Sequence, residues 1–204
     1  MNRWAIAAIP LLVCLVLGEA VVRQWLSDQS FRLAKQGIEK YEEESVSSLK
    51  GKGARPSPEL LRGGPLKKAV RLQPHSAEYR NYLGRYYQAM ATGPKLSDGQ
   101  REELAQQAVR EHENAVELDP LNGVYRAYLA YMQGVMARRY EARATEASLS
   151  DEEQMRLSAQ AVESHAKANA NFEKAVSLNR SNPFIRNLHE AYRGKLWRGS
   201  GETR

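Results

Sequence analysis

Apolar residues are distributed along the chain in three successive patterns. From Trp4 to Leu17 they run almost without a break, interrupted by Pro10, and Ala20-Val-Val22 extends the run beyond Gly18-Glu19. From 27 to 50 they thin to a stripe, Phe31, Ala34, Ile38 and Tyr41, with Lys35, Lys40 and Glu42–Glu44 keeping the other side solvated. That spacing predicts an amphipathic helix, a stalk leaving the apolar segment. Lys50-Gly-Lys-Gly-Ala-Arg-Pro-Ser-Pro58 then breaks all periodicity and reads as a flexible linker at 51–58. From 59 to 197 apolar positions recur at helical spacing between short polar turns, and 198–204 reads as a disordered tail. Strand-like alternation is almost absent, so the expected fold class is all-α.

Within 59–197 one phrase occurs three times. Ala69-Val-Arg-Leu-Gln-Pro74, Ala115-Val-Glu-Leu-Asp-Pro120 and Ala175-Val-Ser-Leu-Asn-Arg180 are each followed by a polar turn. Counting seven from the Leu reaches Tyr79-Arg80, Tyr125-Arg126 and Ile185-Arg186. The phrase means helix, stop, helix. Ala-Val-x-Leu places apolar residues on one side of a helix, and the small Ala permits close approach. Pro74 and Pro120 block continuation, and Ser76 and Asn122 can cap the helix that follows. Ser97 to Gln100 and Ser150 to Glu153 have capping-box spacing and predict long helices over 98–118 and 151–178. A final helix is expected at about 182–196. The expected order is a leading helix, broken or kinked at Gly63-Gly64-Pro65, two helix pairs, and that last helix as a polar cap.

On these residues the chain resembles the tetratricopeptide repeat family. Leu83-Gly84, Tyr87, Ala108, Ala115 and Pro120 match one unit, and Leu129-Ala130, Ala168, Phe172 and Ala175 match a second. His112 stands where the family has an aromatic, Gln133 where it has a tyrosine, and Arg180 where it has the closing proline. Successive phrases lie 46 and 60 residues apart, against ~34 in the family. The surplus falls around 91–102 and 137–162, so elongated helices are expected. The resemblance implies an α-solenoid of antiparallel helix pairs whose first helices line a partner-binding groove. Transferred to this chain, the groove candidates are Asn81, Arg85 and Gln88, then Val124, Ala127 and Tyr131, with Asn187 on the last helix. The arginines of the phrase, Arg80, Arg126 and Arg186, are expected to brace neighbouring helices.

The first 26 residues have two readings. Trp4 and Trp25 bracket 22 residues, enough to cross ~30 Å of hydrocarbon as a helix, with tryptophans at both interfaces. Glu19 is costly in lipid and sits one turn from Arg23, which can neutralise it. The alternative is a secretory signal with Arg3 before the apolar run and Gly18-Glu19-Ala20 as the cleavage site. The transmembrane anchor is the principal expectation. The short leader argues for export, whereas the flanking cations Arg23, Arg32, Lys35 and Lys40 argue for a cytoplasmic domain. The expected location is a bacterial inner membrane, single-pass, with the helical domain in the periplasm.

Composition narrows the function. The chain has 204 residues, one cysteine and a net charge of +6. Cys14 lies in the apolar run, so no disulfide bears on compartment. The four histidines are scattered without metal-ligand spacing, and no phosphate loop or nucleophile elbow occurs. No catalytic residue, metal or cofactor is expected, and an enzyme is not. The cations are spread over mixed-charge helices without a single-sign stripe, which argues against nucleic acid. The expectation is a membrane-tethered scaffold or adaptor that binds protein subunits of an envelope complex and touches lipid through its N-terminal helix. Secretion, pilus and surface-polysaccharide systems are the natural settings. The alternative is an accessory that binds anionic polysaccharide or lipid through its basic surface.

Overall fold

A computed structural model describes residues 3–49, 63–93 and 96–199, with side chains described for 17–44, 63–93, 96–190, 192 and 193. These residues form helices and no strand: α1 (Arg3–Leu49), α2 (Gly63–Leu72), α3 (Ala77–Met90), α4 (Asp98–Leu118), α5 (Gly123–Ala144), α6 (Asp151–Leu178) and α7 (Pro183–Gly199). The long helices α4 and α6 fall where their capping boxes predict.

The caps explain the boundaries. Ser97 Oγ accepts from the Gln100 amide while Gln100 Oε1 accepts from the Ser97 amide, a complete reciprocal box. Ser76, Asn122, Ser150 and Asn182 each cap one helix start with a side-chain oxygen. The three repeated turns share one backbone pattern. Gln73, Asp119 and Asn179 amides donate to Ala69, Ala115 and Ala175 carbonyls, and three residues on, Ser76, Asn122 and Asn182 amides donate back into the turn. Arg180 keeps this pattern without proline, so the turn is held by its hydrogen bonds and cap. Pro65 lies in the first described turn of α2, and residues 59–62, on the other side of the expected kink or break, lie outside the described residues.

Neighbouring helices alternate in direction. Arg80 meets Glu111 near one end of α3 and α4, and Arg101 reaches the Ala91 carbonyl near the other, so the two are antiparallel. Arg126–Asn171 and Glu141–His165 give the same relation for α5 and α6. By contrast, α1 and α3 run parallel, through Lys35–Glu78, Glu39–Tyr82 and Glu42–Arg85. Likewise α7 runs parallel to α5, with Ile185 against Gly123 and Tyr192 against Gly134. One layer is therefore α1, α3, α5 and α7, backed by α2, α4 and α6. Its core is a chain of clusters, each shared by consecutive helices, as expected when apolar faces are buried by stacking on neighbours. Alanines at the crossings, such as Ala69, Ala108, Ala115, Ala168 and Ala175, are fully buried.

The amphipathic stretch after residue 26 is not a free stalk. Phe31, Ala34 and Ile38 are buried with Leu66, Ala69 and Val70 of α2 and Tyr79, Tyr82 and Leu83 of α3. The buried Ser27 hydroxyl donates to the Ala69 carbonyl at 3.2 Å. Among the described residues α1 and α2 thus form a further pair, ahead of α3–α4 and α5–α6, with α7 last. The predicted linker 51–58 lies outside the described residues, at the chain position between the two helices of that pair. At 47 residues, α1 is about 70 Å long at 1.5 Å per residue.

Among the described residues no helix is long and apolar enough to cross a membrane. The side chains of 3–16, including Trp4, lie outside the described residues. Trp25 is exposed on α1, beside exposed Leu17, Val21 and Val22, and Arg23 pairs with Glu19 at 3.0 Å. At the other end α7 continues to Gly199, two residues into the predicted tail, and 200–204 lie outside the described residues.

Candidate partner-binding groove

Helices α3, α5 and α7 enclose an open pocket of about 350 Å³. Its walls are aromatic, Tyr82 of α3, Tyr125 and Tyr128 of α5 and Phe184 of α7, with Val124 between them. Glu78, Asn81, Arg85 and Asn122 supply the polar lining. The repeat explains the wall. Tyr79-Arg80 and Tyr125-Arg126 are equivalent, so Tyr82 and Tyr128 are equivalent too, and parallel helices bring such positions side by side.

Behind the wall lies an ordered polar network. Asn81 is 2% exposed and His112 is fully buried, and His112 Nδ1 lies 3.1 Å from Asn81 Oδ1. Burial, reinforced by the Arg85 charge, pushes the His112 pKa down to about 3, so the ring is neutral at pH 7. Of its two nitrogens Nδ1 has the acceptor, so Nδ1 carries the proton and donates to Asn81. Nε2 is left as a buried acceptor without a partner. The ring stacks on Tyr128, with centroids 5.5 Å apart and planes 7° apart. A Cβ on Gly84 would stand 2.7–2.9 Å from the same ring. His112 therefore packs as an aromatic ring between Gly84 and Tyr128.

Arg85 is almost buried, and one edge of its guanidinium is held by Glu42, Nε to Oε1 at 2.9 Å and Nη2 to Oε2 at 2.5 Å. Its Cζ lies 4.2 Å from the Tyr82 ring centroid and 5.3 Å from that of Tyr128. Burial works against the charge, but the Glu42 carboxylate outweighs it and holds the guanidinium protonated. With its charge paired to Glu42 and its plane against Tyr82 and Tyr128, Arg85 buttresses the wall. Tyr82 donates to Glu39 at 2.8 Å and Tyr79 donates to Asp28. Burial pushes the Tyr128 hydroxyl pKa well up, with Glu42 adding to the effect, so it stays protonated.

The candidates read from the sequence divide. Asn81, Arg85 and Val124 line the pocket. Gln88 is half-buried outside it, with Oε1 unpartnered. Ala127 is fully buried in the α5–α6–α7 core, and Tyr131 packs between that cluster and the one shared by α4 and α5. Asn187 is exposed on α7, away from the pocket. Glu78, Tyr82, Asn122, Tyr125, Tyr128 and Phe184 were not among those candidates. Of the repeated arginines, Arg80 pairs with Glu111 at 2.9 Å and Arg126 donates to Asn171 at 3.3 Å, both bracing the second layer, whereas Arg186 is exposed. A second cavity of about 240 Å³ lies between α4, α5 and α6, where Arg110 and Lys167 face Glu113 and Tyr140. Comparison of the chain with protein-family models and with curated proteins gives no match.

Proposed function

We propose that this chain is a membrane-tethered, tetratricopeptide-like scaffold that holds a segment of another protein against the face built by α1, α3, α5 and α7. Residues 1–26 anchor it as a single pass in a bacterial inner membrane, and the helical domain works in the periplasm within an envelope complex of the secretion, pilus or surface-polysaccharide type. The observation that carries this reading is the aromatic pocket between parallel helices. Rigid tyrosine and phenylalanine faces give contact area at small entropic cost, and open concave sites of this size suit anchoring side chains. The fixed register of the repeated phrase and the alternating helix directions support the repeat reading.

The tether is supported by continuity of the helix. Exposed Leu17, Val21, Val22 and Trp25 lead within one turn to Ser27, the first buried residue of the stack. No spacer separates anchor from domain, so the scaffold stands at the bilayer surface with its face held in one orientation. Binding of a polyanion is disfavoured at the pocket, whose basic side chain is already neutralised by Glu42.

Two measurements on the full chain test the proposal. A reporter active only outside the cytoplasm, fused after Arg204, should be active in membranes that retain residues 1–26. The detergent-solubilised chain should migrate as a complex with other subunits, and Tyr125→Ala with Phe184→Ala should reduce it to the free chain. Val162→Ala, at an exposed site on α6, should leave the complex intact. A chain that migrates alone, or a complex indifferent to the pocket, refutes the scaffold reading.

A further inference from the structure

The pocket also specifies what it holds, a conclusion that rests on the scaffold reading. Of the two charged residues on its lining, Arg85 is almost buried against Glu42, whereas the Glu78 carboxylate is exposed at the pocket. The aromatic faces nearby already receive cations from within the chain. Arg85 lies over Tyr82 and Tyr128, and Lys35 Nζ lies 5.1 Å from the Tyr82 centroid and 5.6 Å from that of Phe31. Among the described residues no cation lies over Tyr125 or Phe184, which line the open pocket beside Glu78, whose side chain is 47% exposed despite its contact with Lys35. Ring faces attract cations through their quadrupole, and the attraction grows as the site is desolvated.

We propose that the pocket takes an arginine or lysine side chain of the bound polypeptide, seated against Tyr125 and Phe184 with Glu78 as counter-ion. Anionic segments are disfavoured, because the Arg85 charge is already paired with Glu42 and the exposed charged group of the lining is the Glu78 carboxylate. The partner segment is thus basic and extended.

The test uses the full chain in neutral detergent, with an end-labelled (Gly-Arg) repeat peptide and a (Gly-Glu) peptide of equal length as probes, read by anisotropy. The basic peptide should bind and the acidic one should not. Glu78→Gln should weaken binding about fivefold and Tyr125→Leu about tenfold. Glu163→Gln, on exposed α6, should leave it unchanged. Each variant is first matched to wild type by helical circular dichroism. Should Tyr125→Leu fail that match, Phe184→Leu on the terminal helix replaces it, with the same loss expected. Equal binding of the acidic peptide, or basic-peptide binding indifferent to Glu78 and the ring substitutions, overturns the proposal. The scaffold reading would then still stand if the native complex depends on Tyr125 and Phe184, and would fall with it if that complex is also unaffected.

Discussion

Phe31→Ala separates a helix that belongs to the stack from a stalk that leads to it. Phe31 is 6% exposed, stacks on Tyr79 with centroids 4.3 Å apart, and meets Tyr82 edge-on at 5.1 Å. Truncating a buried phenylalanine removes its transfer free energy and leaves a cavity, together about 3–5 kcal/mol. Loss of the two aromatic contacts is part of that figure. Phe31→Leu keeps most of the volume but loses the ring geometry, for about 1 kcal/mol. A residue on a free stalk would cost less than about 0.5 kcal/mol. The assay is urea unfolding of the full chain in neutral detergent, followed by far-ultraviolet circular dichroism. Because neighbouring units couple one to the next, the loss can surface as early melting of α1–α2. Hydrogen exchange locates it, with protection falling in 27–42 and 66–72 and persisting in α5 and α6. Unchanged stability with unchanged protection in 27–42 would refute the placement of α1 in the core.

Three further predictions follow from the network behind the pocket and the brace beside it. Gly84→Ala drives a methyl into the His112 ring and should cost about 1–3 kcal/mol, much of it recovered in the Gly84→Ala, His112→Ala double variant, as unfolding midpoints would register. His112, neutral in the fold with its pKa near 3, gains a proton on unfolding at any pH between that value and about 6.5. The unfolded state therefore binds more protons in that window, and stability is lost as pH falls through it. The loss is up to about 3 kcal/mol at pH 4, and His112→Phe should flatten that part of the pH–stability curve. Finally, Arg80 is mostly buried in its pair with Glu111 and also donates to the Pro74 carbonyl. Arg80→Ala should cost about 1–3 kcal/mol, whereas Arg186→Ala, at an exposed site, should fall within about 0.5 kcal/mol.

Much of the helical order is legible in the sequence because its punctuation is local. Ser97 with Gln100, Asn122, and Ser150 with Glu153 mark helix starts through contacts within three residues. Ala-Val-x-Leu marks the helix ends for the same reason. The role of α1 is not legible, because no copy of the phrase precedes it and the stretch after Leu49 looks like a domain linker. An amphipathic stripe states that a face is covered, and it leaves the covering partner open. The pocket is partly legible. Asn81 and Arg85, read from the family resemblance, line the pocket, yet the residue one repeat on from Asn81 is Ala127, which is core. The more informative signal was the repeated aromatic, Tyr82 and Tyr128, one position further along the same register. The neutralisation of Arg85 by Glu42 has no sequence signature, since the two meet across 43 residues.

The most direct test of the account is site-specific photo-crosslinking in living cells, with the reactive residue placed at Tyr125 or Phe184 in the pocket and at Val162 or Met155 on exposed α6. Crosslinks to one defined polypeptide from the pocket positions, and none from the α6 positions, are the predicted result. Crosslinks from α6 with silence in the pocket would contradict it, and place the working surface of this protein on the opposite layer.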